Sequence, residues 1–148
     1  MSTDPEPVLR VLNRRLLGRG DAQATCPALR IGKDGEATLA NAGHLPPYLN
    51  GEPMAMEGAL PLGMIASADF SATQFPLRDG DKLALISEGI AEATAPDGAL
   101  FGFDRVHELL RIATTAAEVA ASAQDFGQED DSGVIFVTRK PALAPALI

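Results

Sequence analysis

Two acidic sites stand where an apolar run meets a turn. The stretch "KLALISEGIAEATAPDG" at 82–98 ends the run Leu83-Ala84-Leu85-Ile86 in Ser87-Glu88-Gly89, and Glu129-Asp130-Asp131 precedes the run Val134-Ile135-Phe136-Val137. If the two runs are neighbouring strands of one sheet, their acids come to lie side by side at its edge. Carboxylates held that close stay ionised by sharing a cation, which makes an oxygen-ligand divalent metal site the chemistry to test. On spacing alone, solvated loop acids remain the preferred reading. The other candidates carry less. His44 and His107 lack metal-ligand spacing with Cys26. Cys26-Pro27 reads as strand core rather than nucleophile, and Arg19-Gly20-Asp21 as a turn. Neither a G-x-S-x-G elbow nor a phosphate-cradling glycine loop with its lysine is found.

The elements that must position these acids follow from hydrophobic period and turn residues. Val8, Leu9, Val11, Leu12, Leu16 and Leu17 fall on one face of a helix over 5–17, with Asp4-Pro5 to start it and Gly18 to stop it. From 24 to 86 strands dominate, punctuated by Asp34-Gly35, Asn50-Gly51 and Asp79-Gly80, each read as a hairpin turn. Helical spacing returns over 102–126, where Phe103, Val106, Leu109, Leu110 and Ile112 are followed by the alanine-rich "TTAAEVAASAQDF". The strand at 133–138 reads as buried on both faces, and 140–148 as a tail without secondary structure. The expected class is α+β, a single domain over 1–139 with helices segregated from an antiparallel sheet.

Composition narrows the partners. The chain has 148 residues, 46% of them hydrophobic, and a net charge of −8. That balance disfavours nucleic acid and anionic membrane surfaces as partners and suits cation binding. No apolar run approaches the roughly 20 residues that span a bilayer. The start "MSTDPEPV" lacks the basic and apolar regions of a signal peptide. With one cysteine and no internal disulfide, a cytoplasmic protein is expected.

Four stretches, in order, carry a resemblance: "LANAGHLPPYL" at 39–49, "ALPLGM" at 59–64, "LRDGDKLALISEGIAEATAPDGALFGFDRV" at 77–106 and "GQEDDSGVIFVTR" at 127–139. Together they resemble the bacterial SpoIIE family of metal-dependent, PPM-type serine/threonine phosphatases, over about residues 5–139. The resemblance implies an αββα sandwich of antiparallel sheets with flanking helices, truncated here at its N-terminus. It also implies two Mn²⁺ or Mg²⁺ ions that activate a water for in-line attack on phosphoserine or phosphothreonine. The acid of the family's "TDG" falls on Glu88, and the first acid of its "DD-T" on Asp130, as metal ligands. Asp131 becomes a turn-capping or supporting acid, Gly89 the tight turn, and Gly63 a position of special backbone geometry. His44, in the family's "AGH", either orients such an acid or bonds a neighbouring backbone group beside Gly43.

The resemblance is incomplete in three places. The family's first metal motif, an Asp before a glycine-rich turn, would lie ahead of residue 1. Glu88 replaces Asp, which displaces the carboxylate by about one bond length in a site whose metal–oxygen distances are roughly 2.0–2.1 Å. Ser132-Gly133 replaces an apolar residue and Thr. Two functions are therefore expected as alternatives. One is a phosphatase acting on a phosphorylated STAS-like anti-sigma-factor antagonist; the other is a weak or inactive phosphatase-fold regulatory module. A sandwich without its first strands leaves edges and apolar faces uncovered, so a homodimer or larger assembly is expected.

Overall fold

A computed structural model describes residues 3–141. In chain order the elements are α1 (Pro5–Leu17), β1 (Cys26–Ile31), β2 (Glu36–Ala42), β3 (Tyr48–Leu49), β4 (Glu52–Pro53), β5 (Ala72–Pro76), β6 (Lys82–Ile86), α2 (Glu88–Ala91), α3 (Gly102–Ile112), α4 (Ala116–Phe126) and β7 (Val134–Thr138). All pairings between named strands are antiparallel, in one sheet of order β1-β2-β5 and another of order β4-β3-β6-β7. The mixture of helices and antiparallel sheets is α+β. The chain forms two compact units. One comprises the residues up to Pro46 with Met54–Pro76, and the other Pro47–Pro53 with the chain from Leu77 onward. Most of the 140–148 tail lies outside the described residues.

In the first unit α1 packs on β1 and β2. Pro5 pre-sets the first turn, Glu6 lies at the start and Arg14 and Arg15 at the end, which suits the helix dipole. Leu9 is fully buried in a cluster with Ala40, Ala42, Leu62 and Phe70, and Leu12 and Leu16 pack against it. One turn on from Leu9, Asn13 is buried within the same face. Its Oδ1 accepts from the Gly63 N–H at 2.7 Å, and its Nδ2 donates to the Ile65 carbonyl at 2.9 Å. A buried amide with both ends bonded ties α1 to the loop at 63–65.

The turn signals divide. Asn50 (φ 52°) and Gly51 (φ 82°) form the two-residue connection between Leu49 and Glu52 that the dipeptide predicts. Asp34-Gly35 also lies in a hairpin, but the connection is longer and runs from Gly32 to Glu36, where the Glu36 N–H donates to the Asp34 carboxylate at 3.0 Å. Asp79-Gly80 does not make a hairpin: β5 pairs with β2, whereas β6 pairs with β3 and β7. The turn is real, closed by the Asp81 N–H to the Arg78 carbonyl at 2.9 Å, but it passes the chain from one sheet to the other.

In the second unit β6 is central and buried from Leu83 to Ile86. Lys82 donates from Nζ to the carbonyls of Leu110, at 3.0 Å, and Ala113, fastening the end of α3, and it lies 5.3 Å from the centre of the Phe136 ring. Thr115 caps α4 by accepting from the Glu118 N–H at 3.2 Å, and Glu118 reaches back to the Thr114 N–H. One burial expectation is corrected, that of a strand at 133–138 covered on both faces. Among the described residues β7 lies at the end of its sheet, next to β6, and Ile135 is 58% exposed. On α3 the buried stripe is Val106 and Leu110, while Phe103 and Ile112 are 53% and 78% exposed.

Asp81 gives this unit an acid dependence. Its carboxylate accepts from Asn50 Nδ2 at 2.9 Å and from the Arg78 N–H at 2.8 Å, and these bonds hold it below the usual aspartate range. A depressed folded value adds stability above the unfolded pKa of roughly 4, and that stability is lost as pH falls through the folded value. Asp81→Asn is expected to flatten the fall of the melting temperature between about pH 5 and 3. An equally steep fall in the variant would show that the acid dependence arises elsewhere.

Candidate metal-facing acids

The end of β6 is clamped before Glu88 begins. The Ser87 N–H donates to the Gly133 carbonyl at 2.9 Å, and the Ser87 hydroxyl accepts from the Gly133 N–H at 2.7 Å. Both polar groups of Gly133 are thus engaged by one serine. The chain then enters α2, a single turn that the sequence reading did not anticipate. Ile90 and Ala91 bury its inner side and Glu88 is exposed in its first turn. Gly89 explains why the turn is tight. A methyl group placed there would stand 2.4 Å from the Asp131 carbonyl oxygen, so only glycine lets the acid loop lie against α2. The two acid motifs are therefore juxtaposed by the Ser87–Gly133 pairing, backbone and hydroxyl together, and by the close backbone approach of Asp131 to Gly89.

Beside this contact is a cleft of about 460 Å³ whose lining includes Gly89, Glu92, Thr94, Gly127, Glu129 and Asp130. Asp130 faces it; Glu88 and Asp131 are not among its lining residues. Glu92 is the residue that sequence reasoning missed. Its signal is the four-residue spacing from Glu88 in "EGIAE", one helical turn. Glu88, Glu92, Glu129, Asp130 and Asp131 are all exposed.

The remaining candidates sit elsewhere. His44 is in the first unit. Its N–H donates to Asn41 Oδ1 at 2.8 Å, Asn41 Nδ2 donates to the His44 carbonyl at 2.7 Å, and its Nδ1 lies 3.0 Å from the Leu45 carbonyl. The Asn41 side chain thus brackets the His44 backbone, and the ring itself meets the Leu45 backbone carbonyl. His107 Nε2 lies 3.0 Å from Glu52 Oε2, linking α3 to β4. Burial pushes the half-buried Cys26 thiol up from its ordinary pKa, which keeps it protonated and poorly nucleophilic.

The donor chemistry suits a hard divalent cation, since every acid here offers carboxylate oxygen. The number of donors does not. Among the described residues no three of His, Cys, Asp and Glu converge into a group able to hold a metal ion. The residues present do not fit a complete two-metal centre.

The sequence model of the Stage II sporulation protein E (SpoIIE) family matches residues 1–140. The chain belongs to the SpoIIE family. None of the curated proteins matches it. Among solved structures, the SpoIIE phosphatase domain of Bacillus subtilis, from a manganese-presoaked crystal, is 20% identical with a TM-score of 0.63, and the match covers 95% of this chain and 71% of that one. The SiaA-PP2C domain of Pseudomonas aeruginosa is 20% identical with a TM-score of 0.74, covering 93% of this chain and 61% of that one. The RsbU and RsbW domains of a Mycobacterium tuberculosis protein are 19% identical with a TM-score of 0.57, covering 92% and 47%. At such identities the likeness is one of fold: this SpoIIE-family chain shares the fold of those domains. No helix among the described residues is long and apolar enough to cross a membrane.

Proposed function

We propose that this SpoIIE-family chain serves a cytoplasmic phosphatase that hydrolyses phosphoserine or phosphothreonine on a STAS-like anti-sigma-factor antagonist, with Glu88 and Asp130 as its metal-facing acids for Mn²⁺ or Mg²⁺. The observation that carries the reading is the backbone contact of Gly89 with Asp131. It sets the family's two acid motifs against each other at the ends of adjacent strands. The likeness of fold to RsbU and RsbW domains supports a regulatory phosphoprotein as the substrate.

A second reading is a phosphatase-fold module that holds a phosphoprotein or regulator without turning it over. The lack of a three-donor group among the described residues favours it for this chain acting alone. Turnover of a phosphoserine peptide and of p-nitrophenyl phosphate, with and without Mn²⁺, separates the two. Little or no turnover is expected from the chain alone. Any Mn²⁺-dependent turnover is expected to rise with Glu88→Asp, the shorter acid that suits compact octahedral geometry, and to vanish with Asp130→Asn. Robust Mn²⁺-dependent turnover that survives Asp130→Asn would refute the assignment of ligands.

A further inference from the structure

We infer that Asn50 is a site of spontaneous covalent modification: it cyclises onto the Gly51 amide nitrogen when the β3–β4 turn opens, and the aspartate it becomes keeps the turn from closing again. The dipeptide supplies the chemistry. Gly51 has no side chain to shield its N–H or to crowd a five-membered ring. The Gly51 nitrogen gives its proton to water and bonds to Cγ of Asn50, and the Cγ–Nδ2 bond breaks to release ammonia. Water then opens the cyclic imide at either carbonyl, leaving aspartate or isoaspartate. Water is the only co-reactant.

The closed turn restrains the carbon under attack. Asn50 is exposed to solvent, yet both ends of its carboxamide are held at the start of β6. Nδ2 donates to Asp81 Oδ1 at 2.9 Å, and Oδ1 accepts from the Lys82 N–H at 3.0 Å. The Asn50 N–H also donates to the Lys82 carbonyl at 2.8 Å. Gly51 is seated on α3, where a methyl group in its place would stand 2.6 Å from the Arg111 Cα, and Glu52 meets His107 at 3.0 Å. With φ held at 52° and 82° and the carboxamide tied at both ends, Cγ swings to the Gly51 nitrogen only after the turn lifts off β6 and α3. The rate of conversion therefore follows the population of the opened turn.

The product works against reclosure. An aspartate at position 50 lacks the Nδ2 donor and sets a carboxylate against Asp81, which also accepts from the Arg78 N–H at 2.8 Å and stays ionised near neutral pH. A donor–acceptor contact becomes a repulsion between like charges. Isoaspartate adds a methylene to the main chain, which a two-residue turn between Leu49 and Glu52 does not accommodate. Both products favour the open turn, so the conversion runs one way.

Peptide mapping by mass spectrometry, on chains held at neutral pH and sampled over weeks, tests this. Folded wild type is expected to convert at residue 50 more slowly than the same chain in urea. Folded Asp81→Ala is expected to convert at least about fivefold faster than folded wild type, the weight of one hydrogen bond. In urea the two are expected to convert alike. Melting temperatures give an independent reading: Asn50→Asp is expected to melt below wild type, and adding Asp81→Asn, which restores a donor facing an acceptor, to recover part of the loss. Conversion of folded wild type as fast as in urea, an unchanged rate in folded Asp81→Ala, or Asn50→Asp as stable as wild type would each overturn the inference.

Discussion

Gly63→Ala is expected to lower the unfolding free energy by more than about 4 kcal/mol, enough to bring the melting temperature down by roughly 8–16 °C. Two effects add. Gly63 has φ +85°, a conformation that costs an L side chain about 1–2 kcal/mol. A methyl group there would also stand 2.2 Å from the Ala22 carbonyl oxygen. The obstacle is backbone, and it cannot easily retreat. Ala24 and Leu62 are bonded to each other twice, at 3.2 and 2.7 Å, on either side of the contact. The Gly63 N–H is also bonded to buried Asn13, so any shift of the loop unpairs a buried amide. A melting temperature within about 2 °C of wild type would show that the loop relaxes freely.

Gly89→Ala is expected to cost about 2–4 kcal/mol and to loosen whatever divalent affinity the chain has. Helix propensity alone predicts the opposite sign, since alanine gains up to about 1 kcal/mol over glycine within a helix. The 2.4 Å approach of the Asp131 carbonyl outweighs that gain, and relieving it pushes the acid loop away from α2. Gly58, with nothing within 4 Å of an added methyl group and no left-handed backbone, is the control. Gly58→Ala is expected to be neutral or slightly stabilising. Thermal melts of the three proteins check the order, and a stabilised Gly89→Ala would remove the contact from the account.

What the sequence revealed follows from which physics is local. Asn50-Gly51 was legible because a two-residue turn is decided by its own φ angles. Asp79-Gly80 sends the same signal and was misread, because turn residues fix a change of direction but not which sheet receives the next strand. The apolar runs at 82–86 and 134–137 both become strands, yet one is central and the other an edge. Composition cannot separate those two cases. α2 is a single turn, too short for any period to register. Asn13 interrupts an apolar stripe, and its burial follows from two bonds to the distant loop at 63–65, which no local pattern signals. At the candidate site the two acid motifs were legible as types at strand ends. Their contact through Gly89 and Asp131 depends on a backbone approach, and the Ser87–Gly133 clamp on a pairing of residues 46 positions apart, that no local pattern encodes.

The assignment of Glu88 and Asp130 as metal-facing acids is tested most directly by calorimetric titration of Mn²⁺ into the wild-type chain and into Asp130→Asn. Weak binding to wild type is expected, with a Kd on the order of 10⁻⁴–10⁻³ M, and no measurable binding to the variant. Equal Mn²⁺ affinity in the two proteins would contradict it and leave the acids at 129–131 as a solvated turn.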